Sequence, residues 1–227
     1  MRTTQSIGAG PNGEGGFWIK PLDAGAYDVE ASGRRWMPVT IRSVAAGTHD
    51  LRITLTPAGR ASGRVVDAAT GDPLRDFTVD GERFESSDGR FEYQGIRDQS
   101  NTIRFRATGF GTETRGPFTD VSSSVATDLG TVRLQREARI RGRLVDSSGR
   151  PVSAGHVRAR PMGSAFSDRE TSARCDANGA FELDRLSPDR WCVEPAAAGS
   201  ASECPSGRVV ETRAGEVVED VVISAAR

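Results

Sequence analysis

One pattern occurs twice in this chain, 79 residues apart. Gly63-Arg64-Val65-Val66-Asp67 followed by Gly71-Asp72-Pro73-Leu74 returns as Gly142-Arg143-Leu144-Val145-Asp146 followed by Gly149-Arg150-Pro151-Val152. A period this long is a small domain, because the units that stack into solenoids run only about 20 to 47 residues. Two further segments follow each opening strand. Arg90-Phe91-Glu92-Tyr93 and Ala180-Phe181-Glu182-Leu183 come after the polar turns Ser87-Asp88-Gly89 and Asp176-Ala177-Asn178-Gly179. Ile103-Arg104-Phe105-Arg106-Ala107 and Trp191-Cys192-Val193-Glu194-Pro195 come about ten residues later and alternate apolar with polar. Leu129 to Leu134 and Val221 to Ser224 close the two copies. Alternation of period two, broken by Gly, Asn and Asp clusters every 8 to 12 residues or so, is the mark of a β-sandwich.

A third copy is visible in part. Gly16-Phe17-Trp18-Ile19 behind Asn12-Gly13-Glu14-Gly15, then Tyr27-Asp28-Val29-Glu30-Ala31, then Leu51-Arg52-Ile53-Thr54-Leu55 match the hairpin, second and closing segments, without an opening strand. The reading is therefore all-β: three tandem sandwiches of about seven strands each, the first incomplete, over residues 1–57, 58–136 and 137–227. The residues before Phe17 supply at most a return strand, Arg2 to Ile7. The first module is expected to leave a sheet edge unpaired, and such an edge is a template for another strand. The segment Glu211 to Glu216 reads as strand and turn, because its glycine and the flanking valine pairs oppose a helix.

Composition excludes several classes. Thirty basic and 31 acidic residues leave a net charge of −1, so no global field draws nucleic acid or an anionic membrane. Lys20 is the single lysine, which leaves no carrier for a P-loop or Schiff-base scheme inside either full repeat. No run approaches the ~18 apolar residues of a membrane helix.

The order of a Gly-x-Val-x-Asp strand, a Gly-x-Pro turn, an Asp-Gly-x-Phe hairpin and a closing apolar strand resembles the carboxypeptidase regulatory-like domain. That family is a transthyretin-like (prealbumin-like, Ig-like) sandwich related to bacterial Cna B-type modules. The resemblance implies a non-catalytic structural or adhesive spacer, or a protein-interaction module, in an extracytoplasmic, cell-surface or secreted bacterial protein. Its alternatives are a carbohydrate-binding series and the accessory region of a secreted peptidase or glycosidase. Some Cna B-type relatives lock themselves with a lysine–asparagine crosslink, which the two lysine-free repeats cannot form.

Candidate chemistry is sparse. His49 and His156 stand apart without HExxH or GxSxG around them, so no catalytic residue, metal or cofactor is expected. Asp176-Ala177-Asn178-Gly179 opens like a calcium loop, but position twelve is Ser187 where a chelating Glu is required. Three cysteines leave one over. Cys192 aligns with Arg104, so it should point off the core face while Trp191 points in, and Cys204 lies twelve residues on. A Cys192–Cys204 disulfide with Cys175 unpaired is the first pairing, against three free thiols. Trp18 occupies the outward position of Glu92 and Glu182, and Trp36 sits in a loop or edge. Both are candidate binding residues, for a protein partner or a neighbouring domain before a glycan.

Overall fold

The computed structural model describes residues 16–19, 22–97, 102–118, 123–162, 170–196, 204 and 207–225. The return strand expected over Arg2 to Ile7 and the turn at Asn12 to Gly15 lie outside them. All regular elements among the described residues are β-strands. The chain divides into two compact units, Met1–Ala58 and Gly59–Arg227.

The second unit holds two copies of one seven-stranded plan. In the first copy β3 (Gly59–Asp67) lies between β6 (Arg90–Ile96) and β9 (Thr127–Leu134), antiparallel to β6 and parallel to β9. The facing sheet runs β5 (Glu82–Glu85), β4 (Asp76–Val79), β7 (Ile103–Arg106), β8 (Glu113–Arg115), all antiparallel. In the second copy β10 (Ala138–Val145) lies between β13 (Ala180–Leu186) and β16 (Val217–Ser224), again antiparallel and parallel in turn. Its facing sheet runs β12 (Thr171–Arg174), β11 (His156–Pro161), β14 (Arg190–Pro195), β15 (Arg208–Glu211).

The alternation read from the sequence explains the two cores. Phe91 and Tyr93 on β6, Val65 on β3, Val132 and Leu134 on β9 meet Phe77, Val79, Ile103 and Phe105 of the facing sheet. Phe77, Phe91 and Phe105 stack edge to face, with ring centroids 5.3 and 6.3 Å apart and Phe84 beside them. The other core puts Ile140, Leu144, Phe181, Leu183 and Ile223 against Val157, Ala159, Trp191 and Val193.

The aspartates of the repeated turns cap them alike. Asp176 Oδ1 accepts from the backbone N–H groups of Asn178 and Ala180, each at 2.8 Å, and Asp146 Oδ1 accepts from Ser148 at 2.8 Å and Arg150 at 2.9 Å. Asx turns of this kind need no cation, so the opening of a calcium loop at Asp176 is a hairpin. Glycine is required where β10 meets β16, because a Cβ on Gly142 would overlap the Val221 carbonyl, and at the matching Gly63 it would lie 2.8 Å from the Gly130 carbonyl. Both sit at register shifts of the parallel pairs.

The first unit differs from expectation. Its described strands are β1 (Ala26–Gly33) and β2 (Trp36–Ala45), one antiparallel hairpin with no fully buried side chain. Gly16 to Ile19 form no strand, and Leu51 to Leu55 form none either. Residues 51 to 55 keep their alternating exposure. Alternation sorts side chains between two faces, whereas a strand also needs a backbone partner. Pairing with the start of β2 begins only beyond them, where Met37 N–H donates to Thr56 O at 2.8 Å and Ala58 N–H to Arg35 O at 2.9 Å.

Candidate functional site

Two places in the second unit gather polar groups where a sandwich does not need them. The first is the joint between its two cores. β9 ends at Leu134 and β10 starts at Ala138, leaving Gln135, Arg136 and Glu137 to cross. This short strap pairs with the turn Gly109 to Gly111: Gly111 N–H donates to Gln135 O at 2.9 Å and Glu137 N–H to Gly109 O at 3.1 Å. The Arg136 guanidinium lies 4.5 Å above the Phe110 ring and donates to Asp67 Oδ2 at 2.7 Å.

The joint is closed from the other side by the turn after β13. Thr112 N–H donates to Arg185 O at 3.3 Å, and Ser187 Oγ donates back to Thr112 O at 3.0 Å. Ser187 O in turn accepts from Trp191 Nε1 at 3.1 Å, which ties the joint to the largest side chain of the neighbouring core. Thr112 and Ser187 are buried, and a Cβ on Gly111 would come within 2.7 Å of Ser187 Cα. Asp67 is held below the usual carboxylate range, first by the N–H of Ala69 and then by Arg136, against the opposing effect of its own burial. The sequence carries one local signal of this joint, the glycine pair Gly109 and Gly111 flanking Phe110.

The second place is the outward face of the sheet carrying β11 and β14. Arg158 stands across from Glu194, and Arg160 across from Cys192. Both guanidiniums reach one carboxylate oxygen: Arg158 Nη2 lies 2.9 Å and Arg160 Nε 3.1 Å from Glu194 Oε1. Glu194 is fully buried, and its Oε2 has no hydrogen-bond partner. A disulfide joins Cys192 to Cys204, with Cα atoms 5.5 Å apart, and Cys175 is a free buried thiol. Burial raises the Cys175 thiol above its ordinary range, and the nearby Asp176 adds to this.

Cys192 thus points off the core face, as the alignment with Arg104 implies, yet it is fully buried beside Cys204, to which it is bonded. Gly207 approaches the same face closely; a Cβ there would stand 2.7 Å from Glu194 Cβ and 3.0 Å from Cys204 Sγ. One donor atom from each of Cys192, Glu194 and Cys204 lies within 4.8 Å of the other two, the one such group among the described residues. While the disulfide stands, its sulfurs are bonded to each other and offer no thiolate.

The remaining candidates stay apart. Trp18 is 59% and Trp36 43% exposed, and Trp36 opens β2, an edge strand of the two-stranded hairpin. His49 and His156 are exposed. An open groove of about 470 Å³ on the β13-β10-β16 sheet is lined by Arg141, Arg143, Arg174, Glu182 and Glu219 among others. Arg141 is committed there to Glu182 at 3.1 Å and Glu219 at 3.2 Å. No helix among the described residues is long and apolar enough to cross a membrane.

No family model matches the sequence, and no curated protein matches it. Solved structures overlap it distantly. The Bacillus anthracis TIE protein is 13% identical with a TM-score of 0.31, over 89% of this chain and 42% of that one. The minor pilin of Streptococcus agalactiae is 9% identical with a TM-score of 0.36, over 75% of this chain and 97% of that one. The shaft pilin SpaA of Lactobacillus rhamnosus GG is 8% identical with a TM-score of 0.30, over 74% and 97%. This chain thus spans about two fifths of the TIE chain it overlaps. Superpositions this distant leave the class of protein, an all-β chain of sandwich modules, resting on the strand pairing described above.

Proposed function

We propose that this chain is a non-catalytic structural spacer of an extracytoplasmic bacterial protein, built from modules 1–57, 58–136 and 137–227 of the carboxypeptidase regulatory-like kind. The joint carries the reading. Three residues cross between two cores, and buried hydrogen bonds on both sides of them fix one module against the next. A device of that sort transmits orientation and force, and contributes nothing to turnover. The Cys192–Cys204 disulfide fits an oxidising compartment, where such bonds persist. Trp18 and Trp36, exposed on the first unit, are the side chains we assign to contact with a neighbouring protein domain.

Residual dipolar couplings of the full chain test the spacer. The strands β3 to β9 and β10 to β16 should fit one common alignment tensor. Two independent tensors would mean that the modules move freely, and the spacer reading would fail.

A further inference from the structure

We propose that the buried outer face of β14 is a redox-gated site for one thiophilic divalent cation of the Zn²⁺ class, held by Cys192, Cys204 and Glu194 when the disulfide is reduced. This goes beyond the spacer reading and does not depend on it.

Three observations converge. The donor atoms already lie within 4.8 Å of one another, so assembling them requires little movement of the backbone. Two Zn–S bonds of about 2.3 Å at a tetrahedral angle set the sulfurs about 3.8 Å apart, a spread within reach of side-chain rotation. Next, Glu194 Oε2 is buried without a hydrogen-bond partner, whereas Oε1 takes both guanidiniums. Leaving a charged oxygen buried and unpartnered is costly, and a cation would repair it. Lastly, the charges suit the ion. Two thiolates and one carboxylate beside Arg158 and Arg160 sum to a single negative charge, and the guanidiniums act as the outer groups that orient the ligating carboxylate.

Gly207 lets the backbone approach both Glu194 and Cys204, since a Cβ there would stand 2.7 Å from Glu194 Cβ and 3.0 Å from Cys204 Sγ; a solvent molecule would complete the four ligands of a Zn²⁺ site. The two states exclude each other. A small disulfide such as oxidised glutathione takes two electrons from the two thiolates and, with two protons, leaves as two thiols. Cys192 and Cys204 become the disulfide and the cation departs. A phosphine or dithiol reductant, supplying two electrons, reverses this.

The experiment uses the full chain carrying Cys175→Ala, so that only the pair titrates, fully reduced by a phosphine under argon and titrated with Co²⁺ and then Zn²⁺. One Co²⁺ per chain should bind with thiolate charge-transfer absorption and tetrahedral visible bands, and Zn²⁺ should bleach them. The oxidised chain should bind none. Glu194→Gln should weaken binding at least tenfold and alter the visible bands. Cys204→Ser, a change outside the strands, should abolish the charge-transfer band of the tetrahedral site while circular dichroism stays that of a β-sandwich. Equal Co²⁺ binding by oxidised and reduced chain overturns the proposal. So does a reduced chain that binds no Co²⁺, or one whose affinity and spectrum survive Glu194→Gln, which would be a two-thiol chelate without the carboxylate.

Discussion

The sandwiches β3–β9 and β10–β16 share strand order and register, yet they are held together by different means. Four phenyl rings, Phe77, Phe84, Phe91 and Phe105, interlock in the first. In the second only Phe181 keeps its ring at a matching position; Val157 and Val193 stand where Phe77 and Phe105 do, with Trp191 in place of Ile103. The outer faces place their charges on opposite strands as well. Thr78 and Asp80 face Arg106 and Arg104 in one copy, while Arg158 and Arg160 face Glu194 and Cys192 in the other. Only the second copy adds a disulfide. One topology therefore accepts two ways of offsetting chain entropy: aromatic area inside, or a covalent staple and an ion cluster outside.

The sharpest way to break the comparison is Phe105→Ala. It deletes a fully buried ring from the aromatic core and should destabilise that sandwich by about 3–5 kcal/mol. Hydrogen exchange read by peptide should show β3 to β9 opening while β10 to β16 remain protected. Equal loss in both copies would show that the two sandwiches unfold as one.

Reducing Cys192–Cys204 acts on the other copy. A twelve-residue separation gives roughly 3 kcal/mol in the chain-entropy model. In a Cys175→Ala background under chelator, calorimetry should show the transition of the second sandwich falling on reduction and that of the first unmoved.

Gly111→Ala probes what joins the copies. The added methyl meets Ser187 Cα at 2.7 Å and should cost on the order of 1–3 kcal/mol, as overpacking does. Separate alignment tensors for the two sandwiches, with each fold intact, is the expected result.

Acid should loosen the same joint. Asp67 has its folded-state pKa lowered, so its contribution is present above the ordinary carboxylate range of about pH 4 and is lost as pH falls through the depressed value. Asp67→Asn should remove that acid dependence, at about 1–2 kcal/mol of stability at neutral pH. A wild-type profile that exceeds the variant at neutral pH and converges on it only as pH falls below the depressed value is the check.

Trp18→Ala should change stability least, within about 0.5 kcal/mol, because the ring is mostly exposed. Any effect belongs in partner binding, measured by pull-down from culture supernatant with wild type and variant side by side.

The sequence alone determined the local order of this protein. Alternation and turn chemistry specify the strands, because period two and Asx turns are properties of consecutive residues. The 79-residue repeat gives two like copies, and inward Trp191 follows from its alignment with Ile103. The tertiary structure decided everything that depends on which distant segment arrives at a surface. Leu51 to Leu55 carry a strand pattern and form no strand, since pairing needs a partner that periodicity cannot name. Gly111 meets Ser187 across 76 positions of sequence, so no local signature names its partner. Glu194 looks like any outward glutamate of an alternating strand; it is buried on a face to which the later residues Cys204 and Gly207 return, so that it must find its partners inside.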